Sequence, residues 1–376
     1  MTALTGARVF DGERIHDGMA VVIAGDTIAA VLPEWEVPPA DRQPVEGLLA
    51  PGFIDLQVNG GGGVLFNDDT TPEGIAAIGV AHRRYGTTGF LPTLISDTRE
   101  RMRAAMDAAT AAIRDGVPGV LGVHIEGPFF NPARRGAHAL DMIRPIDEDD
   151  LMLLTTATGG KTLVTLAPEM VDPATVHRLA AAGVVVAAGH TEADVDTIHR
   201  ARAAGLSGFT HLYNAMPPLF GRAPGPVGAA LADEDAWASL IVDLQHVSKT
   251  SLGVALAAKG WQRCVLITDA MTTPEAVDDG FTLTGQSVSL KDGCLVTAEG
   301  TLAGSMLDMA TAVRNTVETL GLPLEAALRM ASCIPAEVLG LGDRLGRIAR
   351  GHRADLVLLD DALHVMRTWI GGVGDD

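Results

Sequence analysis

The sequence predicts an α/β chain: a (β/α)8, TIM-like barrel carrying a small β-sandwich domain formed by both chain ends. Three observations predict it. Between residues 51 and 340, eight short apolar runs alternate with segments of helical character. Such alternation implies a parallel sheet covered by helices, and eight units fit a closed barrel. The two ends, residues 1–50 and 341–376, read as β and show no helical period. Each is too short to build a core alone, so they are expected to pack together. A doubly wound open sheet is the alternative that alternation alone leaves standing.

At the N-terminus the strand-like runs are Ala7–Phe10, Met19–Ala24 and Ile28–Leu32, with Asp11-Gly12 and Gly25-Asp26 as turns between them. Pro51-Gly52 breaks that pattern. The barrel runs are Phe53–Gln57, Gly89–Ile95, Val120–Glu126, Thr162–Leu166, Val184–Ala188, Gly208–His211, Ser239–Asp243 and Cys264–Thr268. Asp97 with Glu100 has the spacing of a capping box ahead of an Ala- and Arg-rich helix. Asp172-Pro173 opens a second helix that Gly183 follows. Thr191 is expected to open a third, ended by Gly205, and Ser248 a fourth, ended by Gly260. After the eighth run, Phe281–Leu302 reads as an inserted β-hairpin with Asp292-Gly293 as its turn. Gly342–Arg347 and Ala354–Leu359 return to strand character.

Composition excludes several functions. The chain has 376 residues, with 28 Lys and Arg against 47 Asp and Glu, a formal net charge of −19. That balance argues against phosphate-backbone binding to nucleic acid. Apolar residues make up 47%, too many for a disordered chain. Three cysteines, at 264, 294 and 333, make no disulfide framework and suit a reducing compartment. No apolar run approaches the ~18 residues of a membrane span, and the first residues lack a secretory pattern. A cytoplasmic protein is expected.

Barrel active sites lie at the C-terminal ends of the strands. There the third run ends in Glu126, the fifth in Gly-His190-Thr, the sixth in Thr-His211-Leu-Tyr-Asn214 and the eighth in Thr-Asp269-Ala. A lone histidine at a strand end is most often structural, and a lone Asp269 could cap a helix. Four such groups from four strands on one rim point instead to a metal site. Imidazole and carboxylate are ordinary ligands of Zn²⁺ and similar ions. Two His and one Glu leave a position open for water, whose pKa the ion lowers. The remaining carboxylate, Asp269, is then free as general base and general acid. His124 lies two residues before Glu126, on the same face of the strand, and is expected in the barrel interior rather than as a ligand.

Longer strings carry a resemblance. Pro51-Gly52-Phe53-Ile54-Asp55 resembles the opening of the amidohydrolase superfamily. His124-Ile-Glu126-Gly-Pro-Phe-Phe-Asn131, Gly189-His190-Thr191 and Thr210-His211-Leu-Tyr-Asn214-Ala215-Met216-Pro217 are similar to the N-acetylglucosamine-6-phosphate deacetylase family. So are Asp243-Leu-Gln-His246, Ile267-Thr268-Asp269-Ala270 and Leu302-Ala303-Gly304-Ser305. The match runs in order over nearly the whole chain.

The resemblance implies hydrolysis of the N-acetyl group of N-acetylglucosamine 6-phosphate, in amino-sugar metabolism. It implies Glu126, His190 and His211 as metal ligands and Asp269 as base and acid. It implies His138, preceded by Ala137, beside the acetamido carbonyl. Asn214, Ala215, Arg222 and His246 would contact phosphate and sugar, and Leu302, Ala303 and Gly304 would line the pocket. Because some phosphate contacts in the family come from a neighbouring subunit, a homodimer is implied. A phosphate wants a donor-rich cation, and Arg222 sits in the loop Phe-Gly-Arg-Ala-Pro-Gly-Pro. The anionic substrate must then be bound by a few local cations against the overall charge.

Many amidohydrolases carry a His-x-His pair on the first strand for a second metal. Here those positions are Gln57 and Asn59, amides that ligate Zn²⁺ poorly. One divalent ion per subunit is expected, Zn²⁺ first, with Fe²⁺, Co²⁺ and Mn²⁺ also compatible; Gln57 and Asn59 would at most hold a second one weakly. A cyclic-amide hydrolase often uses a modified lysine on the fourth strand, and a Schiff-base aldolase needs a lysine at a strand end; the fourth run has none after Lys161. The remaining alternatives are an amidohydrolase acting on a related N-acyl amino sugar and a non-catalytic sugar-phosphate sensor.

Overall fold

A computed structural model of the chain describes residues 1–271, 280–283, 286–291 and 294–375. The eight central runs form eight strands: Phe53–Val58, Thr87–Ile95, Gly122–Glu126, Lys161–Leu166, Val185–Ala188, Gly208–Phe209, Trp237–Ile241 and Cys264–Ile267. They lie in one sheet in strict chain order, each parallel to the next. A doubly wound sheet reverses its strand order at a switch point; this one never does, which is barrel order. The strands are buried along their length, as all nine residues of Thr87–Ile95 illustrate. Double-sided burial is why they read as continuous apolar runs rather than alternating ones.

Helices cover the outside. Arg99–Arg114 buries Met102, Ala105, Met106, Ala109 and Ala112 at helical spacing. Truncating Met102 there would cost about 2–5 kcal/mol. Asp172 caps Pro173–Ala181 with Pro173 in its first turn, and Ser248 caps Lys249–Lys259, as expected. Gly205 closes Val195–Ala204 in the left-handed conformation. Two caps differ from expectation. The cap of Arg99–Arg114 is Thr98, whose hydroxyl accepts from Arg101 N, and not Asp97, which instead accepts from Asn67 Nδ2 at 3.0 Å. The third helix starts after Asp194, whose carboxylate accepts from Thr197 N. Thr191 is used elsewhere: its hydroxyl donates to Glu169 Oε2. In both places a better-placed oxygen, closer to the helix, satisfies the free N–H groups.

Both ends contribute to a pair of β-sheets. A four-stranded sheet holds Thr2–Thr5, Met19–Ala24, Thr27–Pro33 and Arg42–Pro44. In a six-stranded sheet the late strand Leu356–Leu359 pairs antiparallel with the early strand Leu48–Pro51. Leu4, Val21, Ile23 and Ile28 from the first sheet share one core with Val9, Leu49, Leu356 and Trp369 from the second. That is a sandwich.

The insertion after the eighth strand has three antiparallel strands, Gly280–Leu283, Gln286–Lys291 and Cys294–Thr297, where a two-stranded hairpin was expected. The expected turn at Asp292-Gly293 lies outside the described residues. Leu283, Val288 and Leu295 pack on Leu65, Ile95 and Met271, so the insertion walls one side of the barrel mouth. Among the described residues no helix is long and apolar enough to cross a membrane.

Candidate active site

After the fifth to eighth barrel strands the chain adopts a conformation most side chains avoid. Seven described non-glycine residues have positive φ, and six of them follow barrel strands: His190 (50°), His211 (34°), Tyr213 (80°), Ala215 (51°), Leu244 (65°) and Asp269 (52°). Each such position costs of order 1–3 kcal/mol. Four of the six, His190, His211, Ala215 and Asp269, are among the residues singled out from the sequence.

Glu126, His190 and His211 meet there. His211 Nε2 lies 3.0 Å from Glu126 Oε1 and 3.1 Å from His190 Nε2, and His190 Nε2 lies 3.4 Å from the same Glu126 oxygen. All three side chains are buried. His190 Nδ1 donates to the Arg134 carbonyl at 2.8 Å, so its Nε2 presents a lone pair. Phe130 stacks on the His190 ring at 4.2 Å and fixes its plane. Ligand atoms around a four-coordinate Zn²⁺ at about 2.1 Å stand roughly 3.4 Å apart, so the trio fits a divalent ion. Burial would raise the Glu126 carboxyl, but hydrogen bonds from His190 and His211 hold it well below its ordinary range. Burial and the neighbouring His211 push His190 down, despite its bond to Glu126. His211 is raised, because Glu126 and Asp269 outweigh its burial. A proton and a metal ion compete for that same Nε2.

His138 also comes near: Glu126, His138 and His190 each bring a ligand atom within 4.8 Å of the others. Its hydrogen bonds assign it a different part. Ser96 N donates to His138 Nδ1 at 3.1 Å, and the Ser96 hydroxyl lies 2.8 Å from the same atom. An Nδ1 that accepts from an amide carries no proton, so in neutral His138 the proton is on Nε2. Burial and the adjacent His190 push its pKa down to about 3, keeping it neutral. Neutral His138 thus carries its proton on Nε2, while His211 is the other histidine within 3.1 Å of both Glu126 and His190.

Asp269 stands across from the trio. Its Oδ1 accepts from Asn59 Nδ2 at 2.7 Å and Gln57 Nε2 at 3.1 Å, and Gln57 Nε2 also reaches Glu126 Oε1 at 2.9 Å. Both amides spend their donors on carboxylates, while Gln57 Oε1 and Asn59 Oδ1 are buried without partners. Burial and the charge on Glu126 push Asp269 up to about 6. Beneath the site His124 is fully buried, with Nε2 2.8 Å from the Thr165 hydroxyl, and burial pushes its pKa down to about 4. It sits in the barrel interior, as expected.

Asn59, Glu126, His138, His190, His211 and Asp269 line a cavity of about 360 Å³, the size of a small-molecule site. Of the residues expected to contact substrate, Ala137, His138, Asn214, Ala215 and His246 line it, and so do Leu302, Ala303 and Gly304. His246 Nδ1 lies 2.6 Å from Asp243 Oδ2. Arg222 does not line it: it borders a separate cleft with Pro217, Phe220 and Glu192 and is exposed. Several lining residues were not anticipated. Arg134, ion-paired with Glu192 at 2.9 Å, Ile95 and Met271 all border the cavity. In the sequence Arg134 and Arg135 are adjacent basic residues, and nothing there marks their approach to the mouth. His82, on the helix Pro72–Arg83, is fully buried, with Nε2 2.9 Å from the Gly60 carbonyl. The three cysteines form no disulfide among the described residues and are absent from the cavity lining.

Comparison with known proteins follows the same outline. The amidohydrolase family model matches residues 48–373, and the NagA composite domain model matches residues 1–43. N-acetylgalactosamine-6-phosphate deacetylase of Shewanella sp. (strain ANA-3) is 41% identical over 376 residues, 99% of this chain and 95% of that protein. N-acetylglucosamine-6-phosphate deacetylase of Haemophilus influenzae is 33% identical over 375 residues, 98% of each. The crystal structure of N-acetylglucosamine-6-phosphate deacetylase from Pasteurella multocida superposes with a TM-score of 0.96 at 32% identity, covering 100% of this chain and 99% of that one.

Proposed function

The chain belongs to the amidohydrolase family, and on that premise we propose that it hydrolyses the N-acetyl group of N-acetyl-D-glucosamine 6-phosphate to D-glucosamine 6-phosphate and acetate. The observation that carries this reading is the division of labour in one cavity: a three-ligand cluster, a neutral histidine donor and a separate carboxylate with a raised pKa. A sensor would need no such base.

Amidohydrolases depend on metal, and Glu126, His190 and His211 are the residues that would hold it here. One divalent ion supplies Lewis acidity and a water of lowered pKa; two imidazoles and a carboxylate suit Zn²⁺, with Fe²⁺, Co²⁺ and Mn²⁺ also compatible. A second tightly held ion is not expected, because Gln57 and Asn59 direct N–H groups at Asp269.

The chain's own residues do the rest. Asp269 takes a proton from the attacking water and returns it to the leaving amine. His138 Nε2–H donates to the oxygen that gains charge in the tetrahedral intermediate. Asn214, Ala215 and His246 hold the sugar and phosphate and so orient the amide. Ala137, Leu302, Ala303 and Gly304 shape the pocket. Arg222 lies outside its own chain's cavity, so its phosphate contact is assigned to the site of a partner in a homodimer. We assign residues 51–340 to the catalytic barrel, 1–50 and 341–376 to the β domain, and the enzyme to the cytoplasm.

A second reading is supported by the identities: the Shewanella relative at 41% acts, by its name, on the galacto epimer, against 33% for the Haemophilus glucosamine enzyme. Measuring kcat/KM on both N-acetylhexosamine 6-phosphates decides between the two. Acetate release from neither contradicts both.

A further inference from the structure

The seam where the barrel closes bears on how Asp269 is held. Every other neighbouring pair of barrel strands is joined by a parallel ladder. Between the first strand and the eighth, the described residues show one isolated bridge, Val58 to Ala270, above the strand end. Backbone groups at a buried seam need partners. Here a side chain, Asp55, supplies the partner of two of them.

Asp55, in the first strand, is fully buried and absent from the cavity lining. Its Oδ2 accepts from the Thr268 hydroxyl at 2.5 Å. Its Oδ1 accepts from Thr268 N and from Gln57 N, each at 3.2 Å. The carboxylate thus stands where a ladder rung would be. Thr268 immediately precedes Asp269 in the chain, and Gln57 sends its side chain to Asp269 Oδ1. Asp269 N donates to Gln57 O at 3.0 Å, and Asp269 O accepts from Ser305 N at 2.8 Å. Asp55 therefore grips both neighbours of a residue whose own backbone is strained at φ 52°. A strained conformation persists only where its surroundings over-determine it.

We propose that Asp55 is a positioning residue for the reaction: through Thr268 and the Gln57 backbone it directs the Asp269 carboxylate, and its loss lowers turnover rather than substrate or metal binding. The proposal rests on Asp269 acting as the base.

The test uses Thr268→Val, Thr268→Ser, Asp55→Ala and the Asp55→Ala/Thr268→Val double variant in the metal-loaded enzyme, with Asp55→Asn in place of Asp55→Ala if that variant does not fold. Misplacing a reacting group by about 1 Å costs on the order of a hundredfold. Thr268→Val and Asp55→Ala should each lower kcat about tenfold to a hundredfold, with KM and metal content held. Thr268→Ser, which keeps the hydroxyl, should restore kcat. The double variant should be no worse than the worse single one, because both remove the same link. Unchanged kcat in folded Thr268→Val, joint loss of KM and metal content, or additive losses would each overturn the proposal. Wild-type enzyme assayed alongside separates the two claims: no acetate from wild type overturns the base assignment and the proposal together. Wild-type turnover undiminished in Thr268→Val overturns the positioning role alone.

Discussion

Asn59 Nδ2 and Asp269 Oδ1 are 2.7 Å apart, a hydrogen bond that ties the end of the first barrel strand to the end of the eighth. Gln57 Nε2 reaches the same oxygen, so both donors fall on Oδ1, and Oδ2 takes no hydrogen bond from the described residues. The amides of Gln57 and Asn59 thus orient the carboxylate proposed as the base. Asp269→Asn keeps the shape and removes the proton acceptor. It should lower kcat by about 10²–10⁴-fold while bound metal stays at its wild-type level. Near-normal turnover in this variant would end the base assignment.

Asp269 must be ionised to accept a proton, and burial has moved its pKa up to about 6. Its ionised fraction falls as pH drops through that value, so kcat/KM should decline on the acid side of about pH 6. Asn59 bonds the ionised form and lowers the pKa. Removing that donor in Asn59→Ala should shift the acid limb to higher pH. A limb that stays in place when Asn59 is truncated would show that the profile reports another group.

His138 is held as the Nε2–H tautomer by the Ser96 amide. His138→Ala should cost about 10²–10³-fold in kcat, the usual effect of removing one oxyanion donor. The metal should remain, because the proposed ligands are Glu126, His190 and His211. Loss of metal in parallel with kcat would place His138 among the ligands instead.

Arg222→Ala should raise KM for the 6-phosphate sugar and leave KM for free N-acetylglucosamine unchanged. Mixing Arg222→Ala with Asp269→Asn subunits should restore part of the activity, since hybrid dimers then contain a site with an intact Asp269 and a partner's intact Arg222. Equal effects on both sugars would remove the phosphate role, and failure to complement would remove the shared site.

Much of this was legible in the sequence because barrel chemistry is local. Glu126, His190, His211 and Asp269 each terminate an apolar run, so their place on one rim followed from counting strands. Long-range relationships were not legible. The Ser96 amide that sets the His138 tautomer comes from the end of another strand, 42 residues earlier. Arg222 follows the sixth strand in sequence, yet its loop turns away to border a different cleft. His82 lies on a helix but faces inward, where the Gly60 carbonyl receives it. The helix starts misassigned to Asp97 and Thr191 failed for a smaller reason: several oxygens near a helix end can cap it, and only the backbone path decides which one is in reach.

Acetate release from N-acetylglucosamine 6-phosphate, followed through chelation and stepwise return of Zn²⁺, tests the central claim most directly. The predicted result is loss of turnover on chelation and full recovery at one equivalent of metal per chain. Turnover that survives complete removal of metal, or that requires a second equivalent to return, would contradict it.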